Sequence, residues 1–141
     1  MTSAPHPPAN GDLASRQAAL IAALVAGAEL PAGFDPARVS AARRALLVKR
    51  AGEVATVWPL LAASFGTGWS ERFIAWAQDR APVGSLREGW DFARALDGRG
   101  ELPELAAAEL TEREARWHYD GRHPPRRRRL RRRTLPAPGR S

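Results

Sequence analysis

ARRALLVKRAGEVATVWPLLAASFGTGWSERFIAWA, residues 42–77, is the stretch that decides the fold. Arg43, Leu47, Arg50, Val54 and Val57 recur at helical spacing. Pro59 disfavours the α conformation at Trp58 and removes an amide donor, so one helix ends at about Val57 and a short one begins. Gly66 and Gly68 close the short helix, and Trp69, Phe73, Trp76 and Ala77 then share one face of the next.

Working outward, the same grammar holds. Toward the N-terminus, Asp35-Pro36 is a helix start, with an N-cap acid followed by proline at the first helical position. Asp12 stands before Leu13, Gln17, Leu20, Ile21, Leu24 and Val25, which follow helical spacing up to a stop at Gly27. Toward the C-terminus, Ser85-x-x-Glu88 reads as a capping box ahead of Leu86, Trp90, Ala93 and Leu96. Gly98 and Gly100 end that helix, and Pro103 opens a last one whose stripe is Leu102, Ala106, Leu110 and Trp117. Thr111-x-x-Glu114 has the same capping pattern, so the last helix is expected to break near Leu110. Nothing alternates with the period of a strand. The expectation is an all-α bundle of five or six helices over residues 12–121, after a disordered Pro-rich start (1–11) and before a disordered Arg-rich tail (122–141).

The 141 residues carry a net charge of +7, but its placement matters more than its size. Nine arginines and no acid lie between Arg122 and Ser141, whereas the rest is mildly acidic. With no cysteine, disulfides and thiolate chemistry are excluded. The start lacks the features of a secretory signal, and no apolar run is long enough to span a membrane, so a cytoplasmic protein without membrane partners is expected. His6, His118 and His123 show no metal-ligand spacing, and Ser64, Ser70 and Ser85 have no placed base. No catalytic residue, metal or cofactor is expected; the chain reads as a non-enzyme.

Three sets of residues carry the functional expectations. Arg43 and Arg50 sit in the apolar stripe of the second helix, where either their stems pack and their heads reach water or, if buried, they need a partner; Glu112 or Glu114 of the last helix is expected to supply it. Trp58, Trp69, Trp76, Trp90 and Trp117 are core material, and any that reach the surface are candidate anchors for a partner. Arg126, Arg127, Arg128, Arg129, Arg131, Arg132 and Arg133 form a polycation suited to phosphate backbones or an acidic protein surface, without interleaved aromatics for base stacking.

The ordered set of Arg43, Trp58-Pro59, Phe65-Gly66, Phe73 to Trp76, Pro82, Ser85-Leu86, Trp90 with Phe92, Leu102-Pro103-x-Leu105 and Glu112 resembles a known helical domain. It is similar to the N-terminal domain of partner proteins that accompany multinuclear non-heme iron-dependent oxidative enzymes, which modify ribosomal peptides in pathways of the methanobactin and bufferin kind. That domain has also carried a DNA-binding label. The resemblance runs from about Gln17 to Tyr119 and rests on order and spacing. Ala42 stands where the family often has Tyr, and Arg113 where it often has Trp. A shorter, actinobacterial-type branch with an Arg-rich tail is closer still. The fuller partners carry a further C-terminal domain that receives the precursor peptide by strand addition. Here the tail follows the helices, which narrows the expectation to docking on the enzyme. The resemblance thus implies a non-catalytic accessory protein binding an iron-dependent peptide-modifying oxidase. The alternative is a nucleic-acid-associated protein that holds phosphates non-specifically through its tail.

Overall fold

The computed structural model describes residues 10–26 and 33–129. Six α-helices appear there: α1 (Asn10–Ala26), α2 (Pro36–Val57), α3 (Pro59–Ala63), α4 (Trp69–Ala77), α5 (Ser85–Gly98) and α6 (Glu104–Arg116). A single 3₁₀ turn, Gly66–Gly68, links α3 to α4. Two two-residue strands, β1 (Trp117–His118) and β2 (Arg126–Arg127), pair antiparallel. The all-α expectation holds. Residues 1–9, the Gly27 stop and residues 130–141, with Arg131, Arg132 and Arg133, lie outside the described residues. Asn10 and Gly11, expected to belong to a disordered start, are already in α1, so Asp12 lies inside that helix.

α2 is the central element. The Asp35 carboxylate accepts the Ala37 N–H at 3.0 Å and Pro36 opens the helix, as the Asp-Pro pair dictates. It packs against α1, α4 and α5, while α3 lies along α6 and α5 meets α6. Of the expected α2 stripe, Leu47, Arg50 and Val54 are buried, with Ala51 beside them, while Arg43 and Val57 are half-buried. Leu47, Ala51 and Val54 join Trp58, Leu61, Trp69, Phe73, Trp90, Phe92 and Leu96 in one core. Aromatic rings bridge its layers edge to face, as between Trp58 and Trp90 (centroids 5.7 Å apart) and Phe73 and Phe92 (5.9 Å).

Two sequence expectations about α5 and α6 fail for one reason. Gly84, at φ 98°, is the residue before α5, and no side chain caps that helix. Helix α6 runs unbroken through Leu110 and Thr111. In both capping patterns the glutamate is recruited to a tertiary partner: Glu88 to Arg50, and Glu114 to Trp90 and Arg94.

The tail also departs from expectation. Disorder was expected from Arg122, yet β2 pairs with β1, placing Arg127 opposite Trp117 and Arg126 opposite His118. The Arg128 N–H donates to the Arg116 carbonyl at 2.9 Å, and its Nε donates to the Glu114 carbonyl at 2.8 Å. Carbonyls left open at the C-terminal end of α6 thus find donors in Arg128 of the tail.

Candidate functional site

The helix break at Trp58-Pro59 is held by two other elements, α5 and α6. Trp58 is fully buried and its indole N–H donates to the Leu86 carbonyl at 3.0 Å. The indole lies so close to α5 that a Cβ added at Gly89 would fall 2.1 Å from Trp58 Cδ1; only glycine admits this approach. On the other side, the Arg113 guanidinium stacks 4.1 Å from the Trp58 ring centroid and donates to the Val57 carbonyl at the end of α2. Glu109, also of α6 and 8% exposed, accepts the Leu61 N–H at 2.7 Å in the first turn of α3. A cation therefore meets a helix C-terminus and a carboxylate meets a helix N-terminus, the arrangement both ends favour. Sequence reasoning missed Gly89, Glu109 and Arg113. The i,i+4 spacing of Glu109 and Arg113 was visible, but nothing in it shows that both face a break some fifty positions earlier in the chain.

The expected internal ion pair exists with a different partner. Arg50 is buried and pairs with buried Glu88 of α5 through Nε, at 3.0 Å, and Nη2. Its Nη1 reaches the carbonyls of Arg80 at 3.3 Å and Val25 at 3.5 Å, so one guanidinium ties α1, α2, α5 and the turn after α4. Neither Glu112 nor Glu114 meets Arg43 or Arg50. Glu112 pairs with Arg116 one turn on, at 3.0 Å, and Glu114 accepts from Arg94 at 2.8 Å and from the Trp90 indole at 3.1 Å. The reason is topological: α5, not α6, lies against this part of α2. Arg43 is half-buried beside Ser40, Leu47, Ile74 and Gln78, with no carboxylate in ion-pair range among the described residues.

Of the five tryptophans, Trp58, Trp69 and Trp90 are core residues at 0%, 6% and 1% exposure, which removes them as docking anchors. The indole N–H groups of Trp69 and Trp90 are already used, on the Ala51 carbonyl and on Glu114. Trp76 is half-buried, packed on Phe73 and Phe92 and covered by the Arg80 guanidinium at 4.6 Å. Trp117 is half-buried on β1, with Arg127 of the tail 5.5 Å from its ring centroid. Beside it lies a cleft of about 330 Å³ bounded by Pro59, Leu60, Glu112, Arg113 and Arg116. Leu60 is 41% exposed there, and Leu105, on the same face of α6, is 58% exposed. The structure thus brings one candidate anchor, Trp117, and one candidate basic residue, Arg127, expected in separate parts of the chain, onto one surface. Arg126, Arg128 and Arg129 are exposed close by.

The chain between β1 and β2 is fastened to α5. Tyr119 is buried against Trp90, its hydroxyl donates to Asp91 at 2.9 Å, and burial holds its pKa above the ordinary 10.0. Arg87 donates to the Arg122 carbonyl at 2.9 Å. Asp120 accepts the N–H groups of Arg122 and His123, each at 2.8 Å, and faces the His123 imidazole at 2.7 Å. The His123 side chain, then these amides, hold the Asp120 carboxyl well below its usual range. At Glu114 burial pushes the pKa up. The hydrogen bonds from Trp90 and Arg94, aided by the charges of Arg94 and Arg128, outweigh it and leave the carboxyl lowered. Among the described residues no cluster of His, Asp and Glu is placed to hold a metal ion, and no helix is long and apolar enough to cross a membrane.

The molecule is therefore a small helical domain whose polar chemistry locks helices together, with a cleft beside Trp117 whose walls mix apolar and charged side chains. Residues 14–98 match the family described as SCO6045-like, C-terminal domain, and the chain belongs to that family. It is also similar to a UPF0276 protein of Streptomyces avermitilis, 39% identical over 125 residues. That match takes in 88% of this chain but 26% of the relative, so the chain spans about a quarter of the relative's length. No solved structure matches it.

Proposed function

We propose that this domain is a non-catalytic accessory module that docks on an iron-dependent peptide-modifying oxidase. The observation that carries this is the uneven coverage of the Streptomyces avermitilis relative, most of whose length lies outside the match. There the helical domain is joined to a larger body of sequence, and such tethering keeps a docking module at high effective concentration beside its target. The resemblance of residues Gln17 to Tyr119 to oxidase partner proteins points the same way. So does the use of the buried carboxylates, Glu88 and Glu109, as structural partners of Arg50 and the Leu61 amide.

The test is co-expression of the full chain with an oxidase of this class, followed by affinity purification and size-exclusion chromatography. Co-elution as a stable complex is the expected result; separate elution of two folded proteins overturns the proposal. The competing reading, phosphate-backbone binding, draws on the exposure of Arg126, Arg127, Arg128 and Arg129. It predicts instead a gel shift on duplex DNA that collapses steeply with salt.

A further inference from the structure

We infer that the cleft between the start of α3 and the end of α6 receives an acidic, apolar-anchored peptide segment of the partner enzyme. This rests on the docking proposal and names the site and its ligand chemistry. Four observations converge. Leu60 and Leu105 leave leucine surface in water on adjoining elements, at 41% and 58% exposure, although α3 and α6 pack together. The roughly 330 Å³ cleft, where Pro59, Leu60 and Trp117 share the lining with Glu109, Glu112, Arg113 and Arg116, has room for one or two side chains with an apolar contact on its Pro59, Leu60 and Trp117 side. Trp117 lines the cleft, and tryptophan is prominent among residues that carry interface energy.

The fourth observation is charge, and it selects the occupant. Glu109 is buried on the Leu61 amide and Glu112 is held by Arg116, so neither acid of the cleft wall is unmatched. Arg127, Arg128 and Arg129 continue from the Trp117 side with no carboxylate partner among the described residues. A segment with a leucine or phenylalanine in the cleft and acids along β2 would satisfy both. A nucleic acid fits less well. The walls carry leucine, proline and the Glu112 carboxylate, and the one indole already lies beneath Arg127.

The probes are a short fluorescein-labelled peptide of Glu and Leu, its Lys and Leu counterpart, and a labelled oligothymidylate, titrated against the full chain by anisotropy. The Glu/Leu peptide is expected to bind saturably and the Lys/Leu peptide to fail. Leu60→Asp is expected to weaken the acidic peptide by about tenfold or more, as loss of a central apolar contact does. Arg127→Glu is expected to weaken it through charge reversal. Both positions are exposed, so the variants should fold, and circular dichroism checks this; Leu105→Asp gives an independent probe of the same face. Tighter binding of oligothymidylate than of the acidic peptide overturns the inference, as does indifference to both Leu60→Asp and Leu105→Asp. The same variants are then used in the oxidase co-purification. If wild type and Leu60→Asp bring down the enzyme equally, the cleft assignment falls and the docking proposal stands. If wild type brings down no enzyme, the docking proposal falls, and with it the identity of the peptide's source.

Discussion

Trp58 and Trp117 are both tryptophans with an arginine over the ring, at 4.1 Å and 5.5 Å, yet they stand in opposite situations. Trp58 is enclosed on every side: Gly89 below, Arg113 above, and the Leu86 carbonyl on its N–H. Trp117 has a cleft on one side and a basic strand on the other, and part of its surface stays in water. Type and neighbour chemistry are therefore no guide to role. What separates the two is enclosure: Trp58 is fully buried between α5 and α6, whereas Trp117 is half-buried at the edge of the domain.

The largest expected effects break the enclosed side of this pair. Trp58→Ala should cost about 3–5 kcal/mol in chemical denaturation, since it empties a fully buried site. Glu88→Ala should cost a similar amount, roughly 3–5 kcal/mol, because it leaves the Arg50 guanidinium buried without its counter-charge. Replacing the pair together, Arg50→Met with Glu88→Leu, should restore much of that loss, and a double-mutant cycle reads the coupling directly. Gly89→Ala comes next, at about 1–3 kcal/mol for overpacking, because the Trp58 indole must retreat from the new methyl group. If Gly89→Ala were neutral, the closeness of α5 to the helix break would be wrong.

Much of the fold was legible because it follows local rules. Asp35-Pro36, the Trp58-Pro59 break and the arginine within the α2 stripe all read correctly from spacing alone. What was not legible is where the glutamates go. Ser85-x-x-Glu88 and Thr111-x-x-Glu114 are good capping patterns locally, but a capping box contributes about 1 kcal/mol, whereas an unpaired buried guanidinium costs several. Arg50 therefore takes Glu88 from its local role. Part of the candidate site was legible too, as tryptophans and an arginine run. Its assembly was not, because the Trp117–Arg127 pairing depends on a turn at Asp120–His123, which carries no strand periodicity.

A smaller effect sharpens the open side. The Glu114 pKa is lowered from its ordinary 4.5 in the folded state. Its contribution is therefore fully present above about pH 4.5 and is lost as pH falls through the folded value. The carboxylate is partly exposed, so the loss should stay below about 1 kcal/mol. Asp120 titrates in the same direction. Hydrogen exchange should then show the Arg128 amide, bonded to the Arg116 carbonyl, losing protection in acid before the amides of α2 do. Simultaneous loss in both regions would mean that the edge and the core unfold as one unit.

The smallest effect on stability, and the most telling for function, comes from deleting Arg126 to Arg133. The deletion removes β2 and the bonds from Arg128 to the end of α6, all at exposed positions, so the domain should lose less than about 1 kcal/mol. If the tail is a phosphate binder, nucleic-acid association should vanish. Before deletion, its seven arginines would support a log–log salt slope as steep as about −6, at roughly −0.9 per phosphate neutralised on duplex DNA. If docking lies in the cleft, the same deletion removes steering charge but leaves Leu60, Leu105 and Trp117 in place. Enzyme association should then slow at low salt and persist at moderate salt, because exposed charge acts mainly on encounter rate. Leu60→Asp should cost more than the whole deletion, although it changes one residue and not eight. Complete loss of enzyme binding on deletion, with the helices still folded, would move the dock from the cleft to the arginines.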